Sequence, residues 1–144
     1  MTAQLKAGQI VLSTTFLSAL AGFLDPNKKY TGDTGKWSRT ILTLMERHKK
    51  EYPWLFDDFG IRRTGPTVYS AEVDRWLTSL YGAISPQGVW RGEYAGKCWL
   101  MFKKPFSATL RENARKNLDL RSIQALEGFA KTIREEELLD FEEK

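Results

Sequence analysis

One cysteine and one histidine stand among the 144 residues of this chain. With Cys98 alone, no internal disulfide can close and no zinc site can be assembled from cysteine spacing. A reducing compartment suits such a chain, and a cytoplasmic location is the expectation. None of the asparagines opens a glycosylation triplet: they run Asn27-Lys28-Lys29, Asn113-Ala114-Arg115 and Asn117-Leu118-Asp119. No apolar run is long enough to span the hydrocarbon of a bilayer, so no membrane partner is expected. The nearest approach is "QIVLSTTFLSALAGF", broken by Ser13, Thr14, Thr15 and Ser18. Its Ala19-Leu20-Ala21 has the small-residue pattern of a signal cleavage site, but the interrupted stretch reads as a retained structural helix. Internal repeats and low-complexity segments are also absent.

The scarcity of reactive groups limits the chemistry. Cys98 sits in an apolar run and reads as structural. His48 lies beside the apolar stripe of a helix and reads as half-buried. Asp57-Asp58 and Glu93 are carboxylates that a metal-dependent nuclease could use, yet adjacent aspartates point to different sides and no motif supports them. Gly35-Lys36 invites a phosphate-loop reading. That template would need glycine at Tyr30 and serine or threonine at Trp37, so it fails. The expectation is a non-catalytic protein with no cofactor and no metal.

Charge and aromatic rings are what the chain has in quantity. Charged residues make up 28% and hydrophobic ones 42%, with five Trp, five Tyr and eight Phe. These proportions are those of a folded globular protein. At this length a single domain buries about two-thirds of its chain surface. Of 22 lysines and arginines, 21 fall in residues 1–134, together with 12 of the 18 aspartates and glutamates. That part carries +9, and the last ten residues carry −5. The expected organisation is one basic globular domain, 1–134, followed by an acidic tail, 135–144. A basic body and a sequence pI near 9.2 point toward nucleic acid. Leu138, Leu139 and Phe141 leave the tail three readings. It could fold back and compete with phosphates, pack on a partner or a second copy, or finish the core stripe of the last helix.

Hydrophobic periodicity predicts helices at 9–24, 37–51 and 70–84, and two more within 107–139. The 70–84 stripe is the clearest: Val73, Trp76, Leu77, Leu80, Tyr81 and Ile84, with Ser70 as cap. Residues 25–36 read as a polar loop. Residues 54–69 are irregular, with a short strand at 59–63 or 67–69. Residues 89–94 and 97–104 read as a hairpin around Ala95-Gly96, with Gly92 marking a bulge or twist. The expected class is mainly α with one β-hairpin, an α+β fold.

The order helix, helix, capped helix, hairpin, helix over about residues 37–104 resembles the winged helix. Leu80, Gly82 and Ile84, followed by the hairpin, carry the likeness. It implies a small nucleic-acid-binding regulator of about five helices and a two-stranded wing. Residues 70–84 would then be the recognition helix. Its outward face offers Glu72, Asp74, Arg75, Thr78 and Ser79, and two carboxylates at the entering end repel phosphate, so the helix reads as scaffold. The candidate phosphate contacts are the loop and hairpin cations Arg62, Arg63, Arg91, Lys97, Lys103 and Lys104. Trp90 and Tyr94 are candidate aromatic contacts, unless hairpin alternation turns Trp90, Trp99 and Phe102 inward. Arg111, Arg115 and Lys116 form a third basic group. The alternative is a protein-interaction module, such as a subunit or small inhibitor docking on a nucleoprotein complex. Homo-oligomerisation stays open.

Overall fold

The computed structural model describes residues 9–82 and 88–142, apart from the side chains of residues 81 and 82. Its first helix, α1 (Ser13–Phe23), buries Phe16, Leu17, Leu20, Ala19, Ala21 and Gly22. A helix so apolar must be covered on most sides. It is covered by α3 (Pro53–Phe56), α4 (Ala71–Gly82), α5 (Lys104–Asn117) and α6 (Leu120–Glu135). Phe16 meets the rings of Phe56, Phe59 and Phe129 at 5.6, 5.1 and 6.1 Å between centroids. α5 approaches so closely at Gly22 that a Cβ there would lie 2.8 Å from the Arg111 amide nitrogen. The helix starts at Ser13 rather than at residue 9. Its first amide donates to Asp58 Oδ2 at 2.7 Å, a cap supplied from a distant loop because Leu12 has no oxygen to offer.

α2 (Thr34–His48) begins three residues earlier than its apolar stripe suggests, because the Asp33 carboxylate accepts the Lys36 amide at 3.0 Å. In α4 the residues Val73, Trp76, Leu77 and Leu80 are buried, and Ser70 Oγ accepts the Val73 amide at 3.4 Å. The Tyr81 side chain and Ile84 lie outside the described residues. His48 rests 4.9 Å from the ring of Phe129.

Six helices and two antiparallel sheets occur among the described residues, a mixed α+β architecture with more strand than expected. The larger sheet runs β1 (Lys29–Thr31), β5 (Lys97–Phe102), β4 (Val89–Tyr94), with β5 in the middle. β1 lies in the stretch read as a loop, because three residues are too few to show alternation. It pairs Tyr30 with Leu100. The smaller sheet is a second hairpin, β2 (Arg62–Thr64) and β3 (Thr67–Tyr69), turned by Gly65 at φ 60 and Pro66. The Arg39 guanidinium donates to the Pro66 carbonyl and ties this turn to α2. The expected single hairpin is therefore two, and the two-stranded wing has a third strand. β4 and β5 pair residue for residue from Val89↔Phe102 to Tyr94↔Lys97, so Gly92 marks no bulge.

The acidic C-terminal segment lies along the outer edge of β1. Leu139 is fully buried, its carbonyl accepts the Thr31 amide at 2.8 Å, and Asp140 bridges to Tyr30. Arg47 donates to both carboxylate oxygens of Glu136, at 2.6 and 2.9 Å, and this fork holds Glu136 below the usual carboxylate range. Lys28 pairs with Asp140 at 2.9 Å. Leu139 lies beyond the end of α6, so it does not continue that helix's stripe; it joins the core beside β1, while Glu136 meets Arg47 and Asp140 meets Lys28. No helix among the described residues is long and apolar enough to cross a membrane.

Leu139→Ala is expected to cost about 2–5 kcal/mol, the usual loss for a fully buried leucine. In urea unfolding the midpoint should fall with little change in slope. Tyr30 generates a pH prediction. Burial foremost, with Asp25 and Asp140 nearby, pushes its phenol from 10.0 up to about 12. The folded state prefers the neutral phenol, so this contribution is complete below the ordinary value and is lost as pH rises from 10.0 toward 12. Alkaline absorbance titration should show one phenolate appearing late, and Tyr30→Phe should flatten the stability loss over that interval.

Candidate functional site

The register of the larger sheet divides its side chains between two faces. Tyr30, Val89, Leu100 and Phe102 share the inward face and are fully buried. Side chains one position on must point the other way. They are Lys29, Trp90, Gly92, Tyr94, Lys97, Trp99 and Met101, with Thr31 at the edge. Trp90 is 48% exposed and Tyr94 51%, whereas Trp99 and Met101 are half-buried.

Cross-strand contacts order this outward face. Gly92 sits opposite Trp99, and a Cβ at Gly92 would lie 2.6 Å from the Trp99 ring. The glycine is there so that the indole can lie across the sheet. Lys29 Nζ is 4.9 Å from the Trp99 ring centroid, and Lys103 Nζ is 3.6 Å from that of Trp90. Such contacts are worth about 0.5–1 kcal/mol each at exposed sites, enough to bias a lysine toward a ring without immobilising it. Tyr94 stands opposite Lys97 across a two-residue turn, with Ala95 at φ 53 and Gly96 at φ 80. Two positive φ values give the turn the twist a hairpin prefers, although a left-handed alanine costs on the order of 1–2 kcal/mol.

Of the residues expected to contact a ligand, Trp90, Tyr94, Lys97 and Lys103 gather on or beside this face. Arg91 does not. It belongs to the opposite face, where it is exposed, as are Glu93 and Cys98. Lys104 opens α5 and is exposed. Arg62 and Arg63 are exposed on the second hairpin, in a different sheet. There the Tyr69 hydroxyl donates to Asp74 at 3.2 Å, and its phenol is pushed up by partial desolvation and by that bond. Lys29 and Trp99 were not named in advance as contacts. Lys29 had no signal because its strand looked like a loop, and Trp99 could be read facing either way.

Many other cations hold the fold together. Arg111 donates to the Gly22 carbonyl at 2.9 Å and to Ser107 Oγ at 3.0 Å. Arg115 lies over Phe23, and Lys116 pairs with Glu112 one turn away. The third basic group is thus largely engaged in packing. Arg121 covers Tyr52 and Trp54, and Arg134 donates to the Phe23 carbonyl at 2.8 Å. The acids of α4 are engaged as well. Glu72 accepts the Gly60 amide at 2.7 Å, and Asp74 accepts the Thr34 hydroxyl at 3.2 Å.

A cleft of about 440 Å³ opens between the hairpin turn and the start of α2. Lys36 and Lys97 line it, but so do Asp33 and Glu142, and Asp33 already caps the helix. It carries no excess of positive charge. Cys98 is exposed, contrary to its apolar surroundings in sequence, with Sγ 3.8 Å from Glu93 Oε1. Among the described residues, no three of histidine, cysteine, aspartate and glutamate are grouped to hold a metal ion.

Compared with known proteins, the chain matches no protein family, no curated protein and no solved structure. The geometry of the sheet face is therefore the basis for a functional reading.

Gly92→Ala tests how that face is built. The Trp99 ring must move to admit the methyl group, at a cost of about 1–3 kcal/mol by the usual measure of overpacking. The Trp99 indole N–H resonance should shift while those of Trp37 and Trp54 stay in place.

Proposed function

We propose that this protein binds nucleic acid through the outward face of its three-stranded sheet. One observation carries the reading: Lys29, Lys97 and Lys103 stand among Trp90, Tyr94 and Trp99, and none of the described residues of that face is acidic. Lysines there can neutralise phosphates and release counterions, while rings supply contact area that needs no particular sequence. Lys104 follows Lys103 at the start of α5, and Arg91 on the opposite side of the hairpin and Arg62 and Arg63 on the second hairpin offer further phosphate contacts.

The layout supports a winged-helix-like arrangement. Helices α2 and α4 precede the hairpin β4–β5, and β1 pairs with the hairpin's second strand. Within that arrangement the wing is the better contacting element. The carboxylates of α4 stand at its entering end and are bound to Gly60, Thr34 and Tyr69, so the helix serves to hold the second hairpin and α2.

Binding to a labelled oligonucleotide, followed by anisotropy across a salt series, tests this function. Affinity should fall steeply as salt rises, and Lys97→Gln and Lys103→Gln should each reduce the log–log slope by about one unit. Absence of binding at low salt, or a slope unmoved by both substitutions, would overturn the proposal.

A further inference from the structure

We infer that the ligand of this face is a single strand rather than a duplex, a refinement that rests on the nucleic-acid reading above. The rings and lysines occur as pairs. Trp90 carries Lys103 over its ring, Trp99 carries Lys29, and Tyr94 stands opposite Lys97. Each pair has what one nucleotide requires: a flat apolar surface for the base and a cation for its phosphate.

The spacing of the pairs favours an unstacked strand. Trp90 and Tyr94 lie four residues apart on β4, and Trp99 sits opposite Gly92, midway between them in register. With a strand rise of about 3.4 Å per residue, the three stations fall roughly 7 Å apart. A duplex strand advances only about 3.4 Å per nucleotide and keeps its base faces stacked on one another. Its bases could not reach these rings without unpairing. A single strand can extend, splay its bases and set one at each station. The weak hold of the Trp90 ring on Lys103 lets that ammonium group turn to a phosphate as a base arrives. Because stacking is available to every base, the face should bind with little sequence preference.

The test compares oligodeoxythymidylate, oligouridylate and a short duplex in salt-series anisotropy with the full chain. Both single strands should bind more tightly than the duplex. Trp90→Ala and Tyr94→Ala should weaken single-strand binding roughly tenfold to a hundredfold, as expected for a lost stacking partner, and Trp90→Phe should recover most of the loss. Unlike the lysine variants, the aromatic variants should lower affinity at every salt concentration without changing the slope. Both rings are exposed, so melting temperatures should stay near that of the unaltered protein. A preference for one single strand over the other would assign a role to the 2′-hydroxyl and still support the inference. Duplex binding as tight as single-strand binding would overturn it. So would aromatic variants that bind as the unaltered protein does while Lys97→Gln and Lys103→Gln still weaken binding, and in both cases the broader proposal would survive. Failure of all three nucleic acids to bind at low salt would overturn the broader proposal itself.

Discussion

The burial of Leu100 and Phe102 on β5 is the constraint from which the arrangement of the sheet follows. Both are inaccessible to water, packed with Tyr30 and Val89 on the inward side. Side chains alternate along a strand, so seating these two inward commits Trp99 and Met101 to the outside. The pairing then propagates that choice to Trp90 and Tyr94 on β4 and to Lys29 on β1. A slip of one residue would turn the whole set over and put lysine into the core. The outward face is as strongly specified as the core beneath it.

The excess positive charge is spread over two kinds of work. Arg39, Arg47, Arg111, Arg121 and Arg134 reach carbonyls, carboxylates or rings of the fold itself. Guanidinium suits this because its several donors can bridge separate elements at once. The cations of the outward sheet face are lysines instead, Lys29 and Lys97 with Lys103 beside them. Net charge counted along the sequence does not separate the two populations. Part of the positive charge is structural, and another part is arranged on one surface.

The helices were largely legible in the sequence, because each buries a stripe with a period of 3.6 and several have recognisable caps. α4 is the clearest instance, with Val73, Trp76, Leu77 and Leu80 in phase and Ser70 ahead of them. What escaped was held in place from far away. Asp58 caps α1 across 45 positions, and β1 exists because Leu100 and Leu139 flank it. No local pattern encodes either contact. Gly92 shows the same limit in another form: the sequence marked an unusual residue, but its cause was a cross-strand tryptophan and not a bulge. The site was half legible. Trp90, Tyr94, Lys97 and Lys103 could be named from the hairpin. Separating Arg91 from them required the register, and finding Lys29 required a third strand.

The cover that α5 and α6 place over α1 has a consequence for synthesis on the ribosome. α1 emerges early, with an apolar surface that only its later partners can shield. At about 5–20 residues per second, the roughly 110 residues between the end of α1 and the end of α6 take on the order of ten seconds to appear. β1 waits for β5 and then, longer still, for Leu139. Until then the nascent chain carries an incompletely covered apolar helix, the kind of surface that makes chaperones necessary. Completion of α1 and β1 thus waits for α5, α6 and Leu139, segments that follow them much later in the sequence.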